Sequence, residues 1–371
     1  MTSAQAFRRY RLLALAVALV AGIATVIGAT LDPAAFFAAW LGAFWYWLAL
    51  PLGALALLMI HNMTGGEWQA SARTALESIA ATMPVFILAF VPVLIGLHDL
   101  YSWTRTPPSN EWYLNLRFFG IRAAIYFIVW NFFAFWQLRP GRAKGGPSET
   151  KSQVLSGIGL ILLGYSVTWA SIDWIMSVEP DWFSSIYGMM AGSGEFVIAL
   201  AFALVVITAL RGVSGVADEA FRRHIASLAM ILLAVDIFWA YTAYSQWVII
   251  WEENLRSEIG WYLERNSPLW RAIIATIVVA HLIVPLFALV WGPAKRRPRL
   301  VRNVAALLLL GGMLQTWWLV LPPFHDPGIA WRAPVALLAL GGVWLWLFLW
   351  RFERGVWLSA TTNPHLSGTK P

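Results

Sequence analysis

The stretch LLALAVALVAGIATVIGATL, residues 12–31, decides the fold class of this chain. It contains no charged residue, and about twenty residues at a rise of ~1.5 Å each cross the ~30 Å hydrocarbon core of a bilayer. The basic segment RRYR precedes it at residues 8–11. A signal peptide has a shorter apolar core followed by a cleavage site of small residues. We therefore expect a first membrane span that is retained in the protein.

The composition of the whole chain also indicates a membrane protein. Of its 371 residues, 60% are hydrophobic and only 12% are charged, which excludes an ordinary soluble domain. The 24 tryptophans suit membrane interfaces. The absence of cysteine excludes disulfides, iron–sulfur ligation and c-type haem attachment within this chain. The net charge of +7 is interpreted as cytoplasmic anchoring charge, so no nucleic-acid partner is expected.

Ten apolar segments follow one another in what we predict to be a single polytopic membrane domain, residues 1–371. Each is long enough to span as a helix, which predicts an all-α membrane protein with ten transmembrane helices. The predicted spans are residues 11–31, 36–61, 78–98, 116–137, 152–176, 187–210, 224–251, 268–291, 301–321 and 333–351.

Loop charges predict the orientation of these spans. Of the 26 Lys and Arg residues, 19 fall at the termini and the even-numbered loops and 6 at the odd-numbered loops, while Arg122 lies inside the fourth span. Positive residues concentrate on the cytoplasmic side. We therefore expect a multi-pass protein of a bacterial cytoplasmic (inner) membrane with both termini cytoplasmic.

Short sequence matches suggest an internal repeat. RAAI at residues 122–125 recurs as RAII at 271–274, and LILLGYSVTW at 160–169 resembles LLLLGGMLQTW at 307–317. These and two weaker matches share an offset of about 147 residues. An even number of spans separates the copies, so they are parallel. The sequence thus predicts two four-helix bundles, spans 2–5 and 6–9, flanked by spans 1 and 10.

Three ionisable residues lie away from the ends of the predicted spans of the second bundle. Asp236 is near the middle of span seven, His281 is near the middle of span eight, and Glu195 is in the outer third of span six. A charge at membrane depth is costly and usually faces the protein interior. We expect Asp236 and His281 to meet, with Glu195 and the outer Asp173 as further candidates for a proton path. A buried pair that only fixes helix register is the alternative.

Polar residues at the outer ends of the first bundle are candidates for binding a quinone headgroup. They are His98, Asp99 and Asp173. Wetted helix ends are the alternative for each of them. Only His281 is central among the histidines, so we expect no haem, no metal site and no catalytic residue belonging to this chain alone.

Four further carboxylates lie in the outer loops and are candidates for a docking surface or a proton exit. They are Glu179, Asp181, Glu252 and Glu253. The first two belong to the acidic stretch WASIDWIMSVEPDWFSSIYG, residues 169–188, which has no Lys or Arg. Arg122, in the outer half of span four, needs a carboxylate partner on the same side.

Two segments resemble a known family. They are SIDWIMSVEPDWFSSIYG, residues 171–188, and FWAYTAYSQWVIIWEENLRSEIGWYLER, residues 238–265. With ten spans and a duplicated bundle, they resemble the smaller NrfD-like (polysulfide-reductase-type) membrane subunit of bacterial alternative complex III, a quinol:cytochrome c oxidoreductase. The resemblance implies a subunit with a structural or proton-conducting role and no redox centre of its own.

The resemblance also implies partners and cofactors. The expected partners are a larger paralogous NrfD-like membrane subunit, an iron–sulfur/molybdopterin-like subunit, c-type cytochrome subunits and small anchor subunits. Haem c and iron–sulfur clusters would belong to those partners. A quinone, a quinol or a lipid is the small molecule expected at this chain.

Two other functions remain open from the residues alone. One is a secondary transporter or channel, for which the parallel repeat would supply the symmetry. The other is the quinone-binding membrane anchor of a molybdopterin reductase. The residues alone also leave open whether the chain takes part in catalysis.

Overall fold

The computed structural model describes residues 3–106, 110–139, 147–210, 218–325 and 328–362, and within these ranges every regular element is a helix. Nine of the described helices are long and apolar enough to cross a membrane. A tenth crossing is formed if the bent pair Arg73–Ala80 and Val85–Ile95, which meet at 45°, counts as one span. The chain is therefore an all-α, multi-pass membrane protein.

The described residues form sixteen α-helices, and two 3₁₀ turns and one π-helical segment join or interrupt them. In order they are α1 Ser3–Leu31, α2 Pro33–Thr64, α3 Arg73–Ala80, α4 Val85–Ala89, α5 Val91–Ile95, α6 Leu97–Leu100, α7 Leu116–Gln137, α8 Pro147–Trp174, α9 Tyr187–Ala209, α10 Asp218–Glu253, α11 Arg256–Glu264, α12 Pro268–Val278, α13 Val284–Val290, α14 Gly292–Lys295, α15 Pro298–Val320 and α16 Ile329–Thr362.

Local sequence signals explain where several spans begin. Asp32 caps α2, because its Oδ1 accepts a hydrogen bond from the Ala35 amide at 3.2 Å. Asn115 caps α7 through the Phe118 amide at 3.0 Å, and Ser267 stands before Pro268 at the start of α12. Short polar side chains at these positions satisfy amides that have no partner within the helix. Capping residues in the sequence therefore indicate where α2, α7 and α12 begin.

The third predicted span, residues 78–98, is not one continuous helix, and this corrects the sequence-based expectation. The chain there is divided into α3, α4, α5 and α6. Pro84 and Pro92 lie at the breaks between the first three of these helices. Proline has no amide hydrogen and its ring clashes with the carbonyl four residues earlier, so each proline interrupts the helix.

Two helices form the centre of the molecule. In the most apolar 18-residue stretch of each helix, 83% of the residues of α2 and 72% of those of α9 are buried, compared with 28% for α1. The two central helices cross closely at Gly53, where a Cβ would lie 2.5 Å from the Glu195 carbonyl oxygen. A glycine lets helix backbones approach in a membrane. The core therefore forms around the α2–α9 crossing.

The remaining spans are arranged around this centre in two similar sets of contacts. In one set, α2 packs against α3 and α8, and α7 packs against α8. In the other, α9 packs against α10 and α15, and α12 packs against α15. Helices α8 and α15 also each contact the central helix of the other set.

Helices α1 and α16 lie side by side and antiparallel, next to α2. Arg11 near the start of α1 pairs with Glu353 near the end of α16 at 3.1 Å. Asp32 and Arg332 approach to 3.9 Å at the opposite end. We call the end of the molecule that contains Asp32, Arg332 and the loop after α8 the Glu179 end. The opposite end is called the Arg11 end.

Candidate functional site: a buried Asp–His pair beside a cavity

Asp236 on α10 and His281 between α12 and α13 meet inside the second set of helices, as the sequence led us to expect. His281 Nδ1 lies 2.9 Å from Asp236 Oδ1. The side chains are 1% and 0% exposed, respectively. The two groups therefore form a hydrogen-bonded pair that is shielded from both lipid and water.

His281 is placed by an irregular turn. Residues Val279–Ile283 form a π-helical segment, and Pro285 stands at the start of α13. The proline cannot donate to the carbonyl of His281, four residues earlier, and would clash with it in a regular α-helix. A wider π turn relieves that clash, and such bulges are frequent at functional sites.

The unpaired atoms of the two side chains remain enclosed. Asp236 Oδ2 and His281 Nε2 have no hydrogen-bond partner among the described residues. The Trp239 ring lies 4.4 Å from the His281 ring, centroid to centroid. Gly311 on α15 leaves room for the imidazole, since a Cβ there would come within 2.6 Å of its Cδ2. The pair thus keeps one free acceptor and one further titratable nitrogen.

Glu195 is buried on α9, and its Oε1 has no hydrogen-bond partner in the described part of the chain. No direct hydrogen bond joins its carboxyl group to Asp236 or His281. Glu195 remains a candidate for a proton path that would need an intermediate group.

Asp173 is held in an ion pair with Arg122, which is the carboxylate partner expected for that arginine. The guanidinium makes two hydrogen bonds to the carboxylate, at 2.7 and 2.9 Å. Tyr113 and Tyr126 each donate a further one at 2.7 Å. Four donors occupy the carboxylate, so the arrangement suits a fixed charge that joins α7 to α8. Its role in a proton path stays a prediction.

The three candidates for a quinone headgroup do not share one site. His98 and Asp99 are exposed on α6, and His98 Nδ1 is 3.0 Å from the Thr104 hydroxyl. Asp173 is buried. The interior beside Asp173 is filled by aromatic rings, with Trp174 in contact with the rings of Phe44, Trp45, Phe90, Tyr126, Phe127 and Trp130.

The acidic residues of the outer loops separate into one that is partly buried and three that are exposed. Glu179 binds Arg265, whose Nη2 and Nη1 are 2.6 and 3.3 Å from its two carboxylate oxygens. Burial raises the pKa of Glu179, an effect that Arg265 offsets only in part. Asp181, Glu252 and Glu253 are exposed and remain candidates for docking.

A cavity of about 1040 Å³ reaches Trp239, whose ring lies against His281, and sequence reasoning did not find it. It runs between α10, α11, α12 and α15 from the Glu179 end down to Trp239. The polar side chains that line it include Gln246, Gln315, Trp318 and Tyr262. The sequence feature that could have indicated the cavity is the high content of Trp, Tyr and Gln in residues 239–247. This composition also suits a membrane interface.

Compared with known proteins, the chain matches no protein-family model, and no curated protein matches it in sequence. The arrangement of its own residues is therefore the basis for assigning a function.

Proposed function

We propose that this chain is an NrfD-like integral membrane subunit of a bacterial quinol:electron-acceptor oxidoreductase of the alternative complex III type. Its role there is to support the assembly and to conduct protons. The observation that carries this proposal is the enclosed Asp236–His281 pair. The segments 171–188 and 238–265 support the family assignment.

The pair has the chemistry of a proton relay. The imidazole holds a carboxylate through one nitrogen and keeps the other nitrogen available, and histidine is a side chain that commonly passes protons in proteins. Ionisable groups at membrane depth commonly mark proton paths in pumps and transporters. Here Asp236 Oδ2 and His281 Nε2 have no partner among the described residues, so the pair can accept a proton at one atom and release one at another.

The finer architecture belongs to the same proposal. The two similar sets of helix contacts support two parallel four-helix bundles, α2–α8 and α9–α15. The antiparallel contact of α1 with α16 brings their chain ends to one side, which supports ten crossings rather than nine. With the distribution of Lys and Arg, this favours both termini in the cytoplasm of a bacterial inner membrane.

The proposed partners follow from the resemblance. They are the larger paralogous membrane subunit, an iron–sulfur/molybdopterin-like subunit, c-type cytochromes and small anchor subunits, with haem c and iron–sulfur clusters held by those partners. The exposed Asp181, Glu252 and Glu253 at the Glu179 end offer acidic positions for docking.

The substitution Asp236→Asn tests the relay. It keeps the shape of the side chain and removes the carboxylate, so quinol oxidation by the assembled complex should persist or slow modestly while coupled proton translocation falls. The measurement is the proton-to-electron ratio of the complex in reconstituted vesicles. Asp99→Asn, which changes an exposed carboxylate, is the matched control and should leave the ratio unchanged. An unchanged ratio in Asp236→Asn, with reduced yield, would identify the pair as structural only.

Copurification tests the family assignment independently. Tagged full-length chain extracted in mild detergent should bring haem-bearing partners with it. A chain that is recovered alone, with no cytochrome absorption, would instead indicate a transporter or channel.

A further inference from the structure

The cavity beside the pair has the size and position of a binding site for a membrane-soluble molecule. Its volume of about 1040 Å³ is at the upper end of ligand pockets, which hold ~300–1,000 Å³. It extends along α10 from Glu252 to Trp239, which corresponds to ~20 Å at 1.5 Å per residue. Most of its lining is apolar side chain, from α10, α12 and α15.

The mouth of the cavity is bordered by aromatic rings. Tyr244, Trp247 and Trp251 lie on one face of α10, with ring centroids 5.9 and 5.6 Å apart in succession, and all three are exposed. On the facing helices, Val278 and Leu282 are also exposed and line the cavity. Exposed apolar side chains on a spanning segment face lipid, so the mouth opens sideways into the bilayer.

The deep part of the cavity is lined by side chains that carry neutral hydrogen-bonding atoms without partners among the described residues. The indole N–H groups of Trp239 and Trp318 and the Oε1 atom of Gln246 are buried and unpaired among the described residues. Trp239 and the amide of Gln315 pack against α9 at Gly194, since each lies 3.6 Å from where a Cβ on that glycine would stand. Buried groups of this kind are normally satisfied, so a ligand with polar atoms would supply the partners that these side chains lack.

The wall formed by α11 adds a hydroxyl to this set. Gln246 Nε2 donates to the Tyr262 hydroxyl at 3.4 Å, which leaves the hydroxyl hydrogen free to donate in turn. Burial raises the pKa of Tyr262 to about 12, so that hydrogen is retained at neutral pH. Arg265 also lines the cavity, but Glu179 neutralises it. The deep site therefore selects for a neutral ligand.

We propose that this cavity binds the ring of a quinone or quinol, with its isoprenoid tail leaving between α10 and α12 into the bilayer. A flat ring matches the aromatic walls, and its two oxygens match the unpaired indole N–H groups and the two glutamine amides. A phospholipid acyl chain in the same place would leave those groups without partners. This inference rests on the proposed function for its substrate class and adds a location in the second bundle.

Photolabelling of the full-length chain in its native membrane tests the site. The probe is an azido-benzoquinone with one isoprenoid unit, and labelled peptides are identified by mass spectrometry. We expect label within α10, α11 or α12, displaced by the matching unlabelled benzoquinone and not by phosphatidylglycerol. Label confined to other segments, or equal displacement by the phospholipid, would overturn the proposal.

Two kinds of variant sharpen the test. Ala243→Phe fills the cavity and should abolish the labelling, whereas Ala234→Phe, on an exposed part of α10 outside the cavity, should retain it. Gln315→Leu removes one hydrogen-bonding group and should weaken displacement by unlabelled quinone about tenfold. Gln315→Leu also tests the site if the Ala243→Phe variant does not assemble. Equal labelling of the two alanine variants, or unchanged displacement in Gln315→Leu, contradicts the site.

The outcomes separate this inference from the proposed function. If the chain copurifies with cytochromes and Asp236→Asn lowers the proton-to-electron ratio while the cavity takes no label, the function stands and the quinone site is refuted. If the cavity is labelled in a chain that purifies alone, the site stands and the assignment to a respiratory complex fails.

Discussion

Single residues at the Glu179 end show how this protein keeps charges near its membrane boundary. Arg265 is 1% exposed, yet it is bound to the Glu179 carboxylate and to the carbonyl oxygens of Trp261, Trp318 and Leu319. Its guanidinium also lies 3.6 Å from the centre of the Trp261 ring. One arginine thereby joins α11, α15 and the loop after α8, and it forms part of the cavity wall.

This arrangement predicts unequal effects for the two members of the pair. Removing Arg265 by Arg265→Gln leaves a partly buried carboxylate and three carbonyls short of donors, so unfolding should become easier by ~3–5 kcal/mol. Glu179→Gln should have a smaller effect, because the carbonyls still hold Arg265. Thermal denaturation in detergent measures both, with the exposed Asp181→Asn as control. A larger loss for Glu179→Gln would contradict this ranking.

The direction of the Glu179 pKa shift adds a dependence on pH. Because burial raises the pKa of this acid, the folded chain holds the proton more tightly than the unfolded chain does. The group's contribution to stability is therefore greatest below its ordinary pKa and is lost as the pH rises through the raised pKa. Glu179→Gln should flatten that part of the stability curve, whereas Asp181→Asn should leave its slope unchanged.

At the scale of elements, the two sets of helices use proline in different ways. Pro84 and Pro92 divide the third span into short helices, while Pro285 produces one π turn in the eighth span without ending it. The π turn carries His281, so its extra residue rotates the following part of the helix relative to the preceding part. An irregular turn thus decides which side chain of the eighth span faces Asp236.

Replacing this proline should move His281. In Pro285→Ala the amide hydrogen returns, so a regular α-helix becomes accessible and the imidazole rotates away from Asp236. The proton-to-electron ratio of the complex should then fall as in Asp236→Asn, although both members of the pair are present. Pro334→Ala, a proline within α16, is the control. A ratio equal to that of the unmodified complex would show that the π turn does not depend on the proline.

At the scale of the whole molecule, the two sides of the crossing between α2 and α9 differ in how their interiors are filled. On one side of α2 and α9, aromatic rings fill the space around Trp174, and Arg122 is paired with Asp173. On the other side, Arg271 recurs at the corresponding sequence position, but it is exposed at the edge of the cavity. Similar helix arrangements thus produce a filled interior in one half and an open one in the other.

The orientation can be tested with single cysteines, because the natural chain has none. Asp99 and Glu252 are exposed at the Glu179 end, and Glu67 and Glu219 are exposed at the Arg11 end. Cysteines at the first two positions should react with an impermeant maleimide added outside cells, and those at the other two only after permeabilisation. Labelling of Glu67→Cys and Glu252→Cys from the same side would rule out the ten-span arrangement.

The sequence by itself determined the fold class, the limits of most spans and the meeting of Asp236 with His281. Hydrophobic length and helix caps are local properties, and burying an ionisable group in a membrane leaves it few partners, so these features can be read without a structure. Tertiary structure alone decided the break in the third span, the π turn at His281, the Glu179–Arg265 pair and the cavity. These depend on which helix faces oppose one another, and near-uniform hydrophobicity around spans such as α2 and α9 leaves no pattern that specifies those faces.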